Sequence, residues 1–308
     1  MRRVPVLVDC DPGHDDAIAL LVANRFCDLV AITTVSGNAS LTDTTSNALL
    51  MTELFDLDVP VHQGCDRPLV QEAVHAPSVH GEHGLGGAHI APPKRTVADG
   101  HAVEAILEST REREGMWLIP TGPLTNIALA IRLDPHLVER IEGISLMGGG
   151  IRIGNVTATA EFNIWSDPEA ASIVFGSGAV LRMSGLDVTH QVRVGLAEAE
   201  QLRAIGGERA RFLADILTFF AERYGERTGI AGGPMHDPLA VLAVTHPDRF
   251  GFVDHAVRIE LAGGQRGTTV VDQRELATIQ PANCSVAETV DAAALLDIIV
   301  QTLELASR

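Results

Sequence analysis

The sequence predicts an α/β fold: an open, mostly parallel central sheet with helices on both faces. Three observations carry that expectation. Short apolar, β-branched segments alternate with segments of helical spacing, their lengths suit single strands and short helices, and Gly- or Pro-bearing turns separate them. A chain of 308 residues with 46% hydrophobic content is long enough for one large core, and we take residues 1–308 as a single domain. It shows no low-complexity linker and no internal repeat.

Val4 to Asp9 is apolar and β-branched, Asp15 to Asn24 has helical spacing, and Leu29 to Val35 returns to strand composition, which makes a βαβ unit. A helix near Asp43 to Phe55 and a short strand at Val59 to His62 follow. Then come a helix from Ala102 to Glu114, a strand from Met116 to Thr121, a helix from Pro123 to Leu133 and a strand from Gly143 to Met147. A helix at Pro168 to Phe175 leads to a strand at Val180 to Met183. Beyond Gly195 two longer helices are expected, Glu198 to Ile205 and Glu208 to Tyr224, then a helix at His236 to Val244. Strands at Phe252 to Ala262, Thr268 to Asp272 and Cys284 to Ala287 precede a last helix at Ala292 to Leu305. Asp66 to Asp99 has many His, Pro and Gly and little periodicity, the composition of a lid loop.

Lys plus Arg number 23 against 40 Asp plus Glu, a net charge of −17 that repels phosphate backbones and argues against a nucleic-acid partner. A small uncharged molecule or a cation suits this charge. No uncharged apolar run is long enough for a membrane span, and the N-terminal segment meets an acid at Asp9, too early for a secretory signal; a soluble, cytoplasmic protein is expected. Cys10, Cys27, Cys65 and Cys284 have no C-x-x-C spacing and are read as reduced, mostly buried thiols.

The chemistry begins in DCDPGHDDA, where Asp9, Asp11, Asp15 and Asp16 crowd the end of the first strand. Ligands of parallel α/β sheets bind beyond the carboxyl ends of the strands. One acid would suffice to cap the helix, whereas clustered carboxylates raise one another's pKa and call for a hard cation. Asp15 and Asp16 lie about 100° apart around a helix, so different jobs are expected of them. An aspartyl phosphatase is a rival reading of the Asp9-x-Asp11 spacing. It is weakened by Gly13, where a hydroxyl residue is usual, and by Pro12, which suggests that the strand is ending at Asp11, whereas Asp9 and Asp11 turn to similar sides only if the strand continues to 11.

Other strand ends supply further groups. Thr121-Gly122-Pro123 turns sharply and can offer the Thr121 carbonyl as a hard ligand, although a plain strand-to-helix turn explains it equally well. Met147-Gly148-Gly149-Gly150 permits close backbone approach without being a dinucleotide fingerprint. Asn155, Glu161 and Asn163 offer donors and acceptors of the kind ribose hydroxyls require, and His236-Asp237-Pro238 sets an imidazole beside a carboxylate at a helix start.

Together these segments resemble the inosine-uridine-preferring nucleoside hydrolases. DCDPGHDDA, TTVSGN, VHGEHGLGG, PTGPLTNIA, MGGG, AEFN and HDP stand in the family's order from about residue 7 to 240. The resemblance implies hydrolysis of the N-glycosidic bond of ribonucleosides to ribose and free base. It implies a calcium ion held by Asp11, Asp16, Asp237 and the Thr121 carbonyl, with Asp11 as general base for the attacking water. Asp15, Asn38, Asn155, Glu161 and Asn163 would hold the ribose with Met147 packed nearby. His236 would protonate or contact the leaving base, and His80 and Phe162 would line the base pocket. A role in nucleoside salvage and a homodimer or homotetramer are also implied.

Phe219 to Gly233 occupies the helical region over the base, where relatives carry several tyrosines. Here Tyr224 alone remains, with Phe220 a turn earlier and Arg227 and Thr228 beyond, so the choice between purine and pyrimidine stays open. The DCDPGHDD form resembles the pyrimidine-preferring bacterial branch, with His14 read as packing behind the site. His75, His80, His83 and His89 lack zinc-ligand spacing. A calcium-dependent ribonucleoside-binding protein without hydrolysis is the non-enzymatic alternative.

Overall fold

The computed structural model describes residues 3–88, 91–274 and 280–308. Its sheet is assembled from β1 (Pro5–Cys10), β2 (Asp28–Thr34), β3 (Val61–Gln63), β4 (Trp117–Pro120), β5 (Gly143–Met147) and β6 (Leu181–Ser184). A two-residue pair, β7 (Arg193–Val194) with β8 (Gly233–Pro234), stands apart. The sheet is completed by β9 (Phe250–Ile259), β10 (Thr269–Asp272) and β11 (Cys284–Val290). Across its nine strands the order is β10-β9-β11-β6-β5-β4-β1-β2-β3. From β3 to β11 every pairing is parallel, and β9 pairs antiparallel with both β11 and β10. The expected open, mostly parallel sheet is therefore what forms.

The alternation of side chains along a strand divides the interior into two cores. Val6, Val8 and Cys10 of β1 join one apolar cluster, which includes the helices His14–Phe26 and His236–Thr245; Leu7 joins the other, under the helices Ala102–Glu112, Thr125–Leu133 and Pro168–Phe175. β1 is covered on both faces, so it reads as an almost continuous apolar run.

The expected strands and longer helices form, most with ends within a residue or two of expectation. The helix after β4 starts at Thr125 rather than Pro123, and the long helix over the site runs on from Tyr224 to Thr228. Four helices of four or five residues were not foreseen: Pro77–His80, Leu137–Arg140, Phe162–Ser166 and Leu186–Thr189. A single turn is too short to show a 3.6-residue period. Pro77–His80 is the one piece of helix in the described part of the lid segment.

β1 lies between β2 and β4, and the connections leave it in both directions, with β2 and β3 on one side and β4, β5 and β6 on the other. This is the topological switch point of a doubly wound sheet, where a crevice opens beyond the strand ends. No helix among the described residues is long and apolar enough to cross a membrane.

Candidate active site

At that switch point Asp11 follows β1, Asn38 follows β2, Thr121 follows β4 and Met147 ends β5. The helices His14–Phe26 and His236–Thr245 pack together. Their N-termini bring Asp15 and Asp16 to Asp237, and one carboxylate oxygen of each lies within 4.8 Å of the other two. The two positive helix ends partly offset the acids' mutual repulsion. Asp15 was expected to turn away from Asp16 toward the sugar, yet it also reaches this cluster. Side chains in the first turn of a helix lean back toward its N-terminus, which draws successive acids together despite their separation around the axis.

Each acid is held differently. Asp16 accepts the Gly13 N–H at 2.9 Å and the Thr121 hydroxyl at 2.8 Å, so it caps its helix and ties that helix to the end of β4. Asp11 accepts the Asn38 N–H at 2.6 Å on Oδ2, while its buried Oδ1 has no partner among the described residues. Burial first, and then the negative charge of Asp16, push Asp11 well above the usual carboxylate range; burial with Asp15 and Asp16 does the same to Asp237. Burial and Asp16 raise Asp15 to about 7. A Cβ at Gly37 or Gly122 would collide with the Asp11 carboxylate, so both glycines leave room against it.

These features fit a divalent cation. The three converging carboxylates of Asp15, Asp16 and Asp237 offer oxygen donors of the kind hard cations take; the orphaned Asp11 Oδ1 and the Thr121 carbonyl stand at the neighbouring strand ends, outside that converging group. The Thr121 carbonyl accepts the Asn163 side-chain amide at 2.7 Å, which fixes it and leaves its second lone pair free.

Asp9 faces the opposite core. It accepts from Thr33 Oγ1 at 2.6 Å and Asn126 Nδ2 at 2.8 Å, and burial lifts it to about 7. Asn126 in turn donates to the Thr34 carbonyl and accepts the Cys65 N–H. Asp9 is a cross-brace between β1, β2 and the helix after β4.

A cavity of about 320 Å³ opens beside the acids, at the small end of the range for ligand pockets. It is lined by Asp15, Asn38, His80, Thr121, Met147, Asn155, Glu161, Phe162, Asn163, Tyr224, His236 and Asp237. Asp11 and Asp16 do not line it; both are fully buried behind it. Glu161 caps the helix Phe162–Ser166, accepting from the Asn163 and Ile164 N–H groups and from Gly149 N–H at 2.8 Å. Burial raises it to about 6. His236 Nδ1 is 2.7 Å from the Thr189 hydroxyl, and burial pushes its pKa well below the ordinary histidine value.

His190 also lines the cavity, 2.9 Å from the Tyr224 hydroxyl, and was not anticipated. It ends the single-turn helix Leu186–Thr189 after β6, so its place beyond a strand end was the signal available in GLDVTHQV. Arg227 donates to the Ser78 hydroxyl at 3.2 Å and to the Asn155 carbonyl at 3.5 Å, tying the long helix to the lid and to the Asn155 loop. Of the histidines weighed for zinc, His75, His80 and His83 are bound to separate partners. His89 lies outside the described residues.

His14 is buried behind the cavity. Its ring stacks on Phe219, Phe220 and His80 at centroid distances of 5.2–5.4 Å, its Nδ1 is 3.2 Å from His80 Nδ1, and its Nε2 is 3.0 Å from the Gly86 carbonyl. Burial lowers its pKa to about 4.

Comparison with known proteins agrees with this geometry. The family model described as inosine-uridine preferring nucleoside hydrolase matches residues 6–297. The pyrimidine-specific ribonucleoside hydrolases RihA of Salmonella typhimurium and Escherichia coli are each 40% identical over 307 residues, 98% of both chains. Among solved structures, the purine-preferring ribonucleoside hydrolase of Gardnerella vaginalis superposes with a TM-score of 0.93 at 32% identity, covering 98% of this chain and 99% of that one. A plant nucleoside hydrolase gives 0.91 at 31% identity, with the same coverage. The chain belongs to the inosine-uridine preferring nucleoside hydrolase family and is an enzyme acting on ribonucleosides.

Proposed function

We propose that the protein is a calcium-dependent pyrimidine ribonucleoside hydrolase. The observation that carries the metal is the unpartnered, buried Asp11 Oδ1 beside the three converging carboxylates. The choice of pyrimidines rests on the 40% identity to hydrolases named as pyrimidine-specific. Asp11, Asp16, Asp237 and the Thr121 carbonyl would hold the ion, with Asp15 within reach. When bound, the calcium supplies a fixed positive charge that orients the ribose diol and the attacking water.

The chain's own groups do the rest. Asn38, Asn155, Glu161 and Asn163 hold the sugar, and Met147 packs beside it. Asp11 takes a proton from the water as its oxygen bonds to the anomeric carbon; the C–N bond breaks and its electron pair leaves with the base. The surrounding acids stabilise the positive charge that develops on the ribose. His236, anchored by Thr189, donates a hydrogen bond to the departing base.

The test is a panel of uridine, cytidine, inosine, guanosine and adenosine with calcium, followed by chromatography for free base. Release of uracil and cytosine well above the purines, abolished by EDTA and restored by calcium, is the expected result. Binding of uridine with no base released would overturn hydrolysis and leave the binding-protein reading.

A further inference from the structure

We propose that His14 is a positioning residue that holds His80 in one tautomer, with an unprotonated Nε2 turned to the cavity to accept a hydrogen bond from an N–H of the base. The proposal rests on the functional reading above and names how its base subsite recognises the substrate.

The Gly86 carbonyl can only accept, so His14 Nε2, 3.0 Å away, carries a proton. A neutral imidazole has one N–H, which makes His14 Nδ1 an acceptor. The donor facing it at 3.2 Å is then His80 Nδ1, and this uses the only proton of a neutral His80. His80 Nε2 has no partner among the described residues and is not among the sealed, unpartnered polar atoms, while the residue lines the cavity.

Neutrality of the pair follows from its surroundings. Both rings are buried in one stack with Phe220, and His14 also stacks on Phe219; among the described residues no carboxylate hydrogen-bonds to either imidazole. Gly13 is part of the same arrangement, since a Cβ there would strike His80 Nδ1 and Cε1.

An Nε2 without a proton cannot protonate the leaving base. It can take the N3–H of uracil or an amino N–H of cytosine, so His80 serves recognition and the departing base is protonated from elsewhere. His14 touches no substrate; it acts through His80.

The first measurement is nitrogen NMR of calcium-loaded, 15N-histidine-labelled protein, with the His80→Gln spectrum used to assign the His80 pair. We expect His80 Nδ1 to be protonated and Nε2 bare; a proton on Nε2 overturns the proposal, and this readout needs no variant of His14 to fold. The second compares uridine with 4-nitrophenyl β-D-ribofuranoside, a riboside whose leaving group offers no N–H. His14→Phe keeps the stack but removes the hydrogen bond, and should lower the ratio of kcat/KM for uridine to that for the nitrophenyl riboside about tenfold, the worth of one hydrogen bond. It should also release the fixed His80 Nδ1–H signal. An unchanged ratio or an unchanged His80 spectrum overturns the positioning role. Failure of the wild type to hydrolyse either riboside would sink the hydrolase reading instead, while the NMR result still decides the tautomer.

Discussion

Two acids two residues apart, Asp9 and Asp11, do opposite work. Asp11 keeps one buried oxygen without a partner, a state that disfavours the folded chain unless a positive charge arrives. Asp11→Asn retains an acceptor for the Asn38 N–H while removing both the charge and the base. Its kcat on uridine at saturating calcium should fall about 100-fold or more, while its thermal midpoint in EDTA equals or exceeds that of wild type. A variant with near-normal turnover would refute the assignment of the base. Asp9 also leaves a buried oxygen, Oδ2, without a partner among the described residues, but its Oδ1 accepts from both Thr33 and Asn126 and no other carboxylate converges on it. Asp9→Ala leaves those two donors buried and should cost about 2–6 kcal/mol, on the scale of one to three for each orphaned group. A lower urea midpoint with unchanged m-value would show it.

At the scale of elements, polar side chains fasten the irregular segments to the regular ones. Arg266 makes paired contacts with Glu169 at 2.6 and 2.7 Å, joining the turn after β9 to the helix Pro168–Phe175, and reaches Gln71 in the lid segment. Arg266 lowers the pKa of Glu169, so the pair stabilises the fold above the usual glutamate range and loses that contribution as the pH falls through the depressed value. Arg266→Ala should therefore lose about 1 kcal/mol at pH 7, in line with a partly exposed pair, and progressively less below about pH 4. Urea titrations at both pH values would check it; a cost that grows on acidification would contradict the pairing. The strands and long helices were legible because apolar periodicity and Gly or Pro punctuation are local signals. The helix Phe162–Ser166 was not, since one turn is too short to show a helical period and its N-cap is a glutamate, bonded to the Asn163 and Ile164 N–H groups and braced by Gly149 across a loop, rather than one of the usual capping residues.

At the scale of the whole molecule, strand order makes the site. Placing β1 between β2 and β4 brings Asp11, Asn38 and Thr121 together from distant parts of the chain, and the packing of two helices adds Asp237. Motif residues at strand ends could be read as a group because such ends share a crevice. Their partners could not: the meeting of Asp15 with Asp16 and Asp237, and the entry of His190, depend on side-chain directions and a single helical turn. The same assembly concentrates buried carboxylates in a protein of net charge −17, and on the proposed reading the folded state receives a cation that the unfolded chain does not. Binding to the native state alone stabilises it by RT ln(1 + [L]/Kd), about 2.7 kcal/mol at a hundredfold excess over Kd. Calcium added to EDTA-stripped protein should raise the thermal midpoint in a saturable, concentration-dependent way, at ionic strength matched with sodium chloride. Magnesium should do so less, because it demands a tighter octahedral shell and gives up its waters reluctantly. Asp237→Asn removes one converging charge and should shift the calcium titration to higher concentration. A midpoint that responds equally to sodium and calcium would reduce the acid cluster to diffuse charge screening and remove the ground for a bound ion.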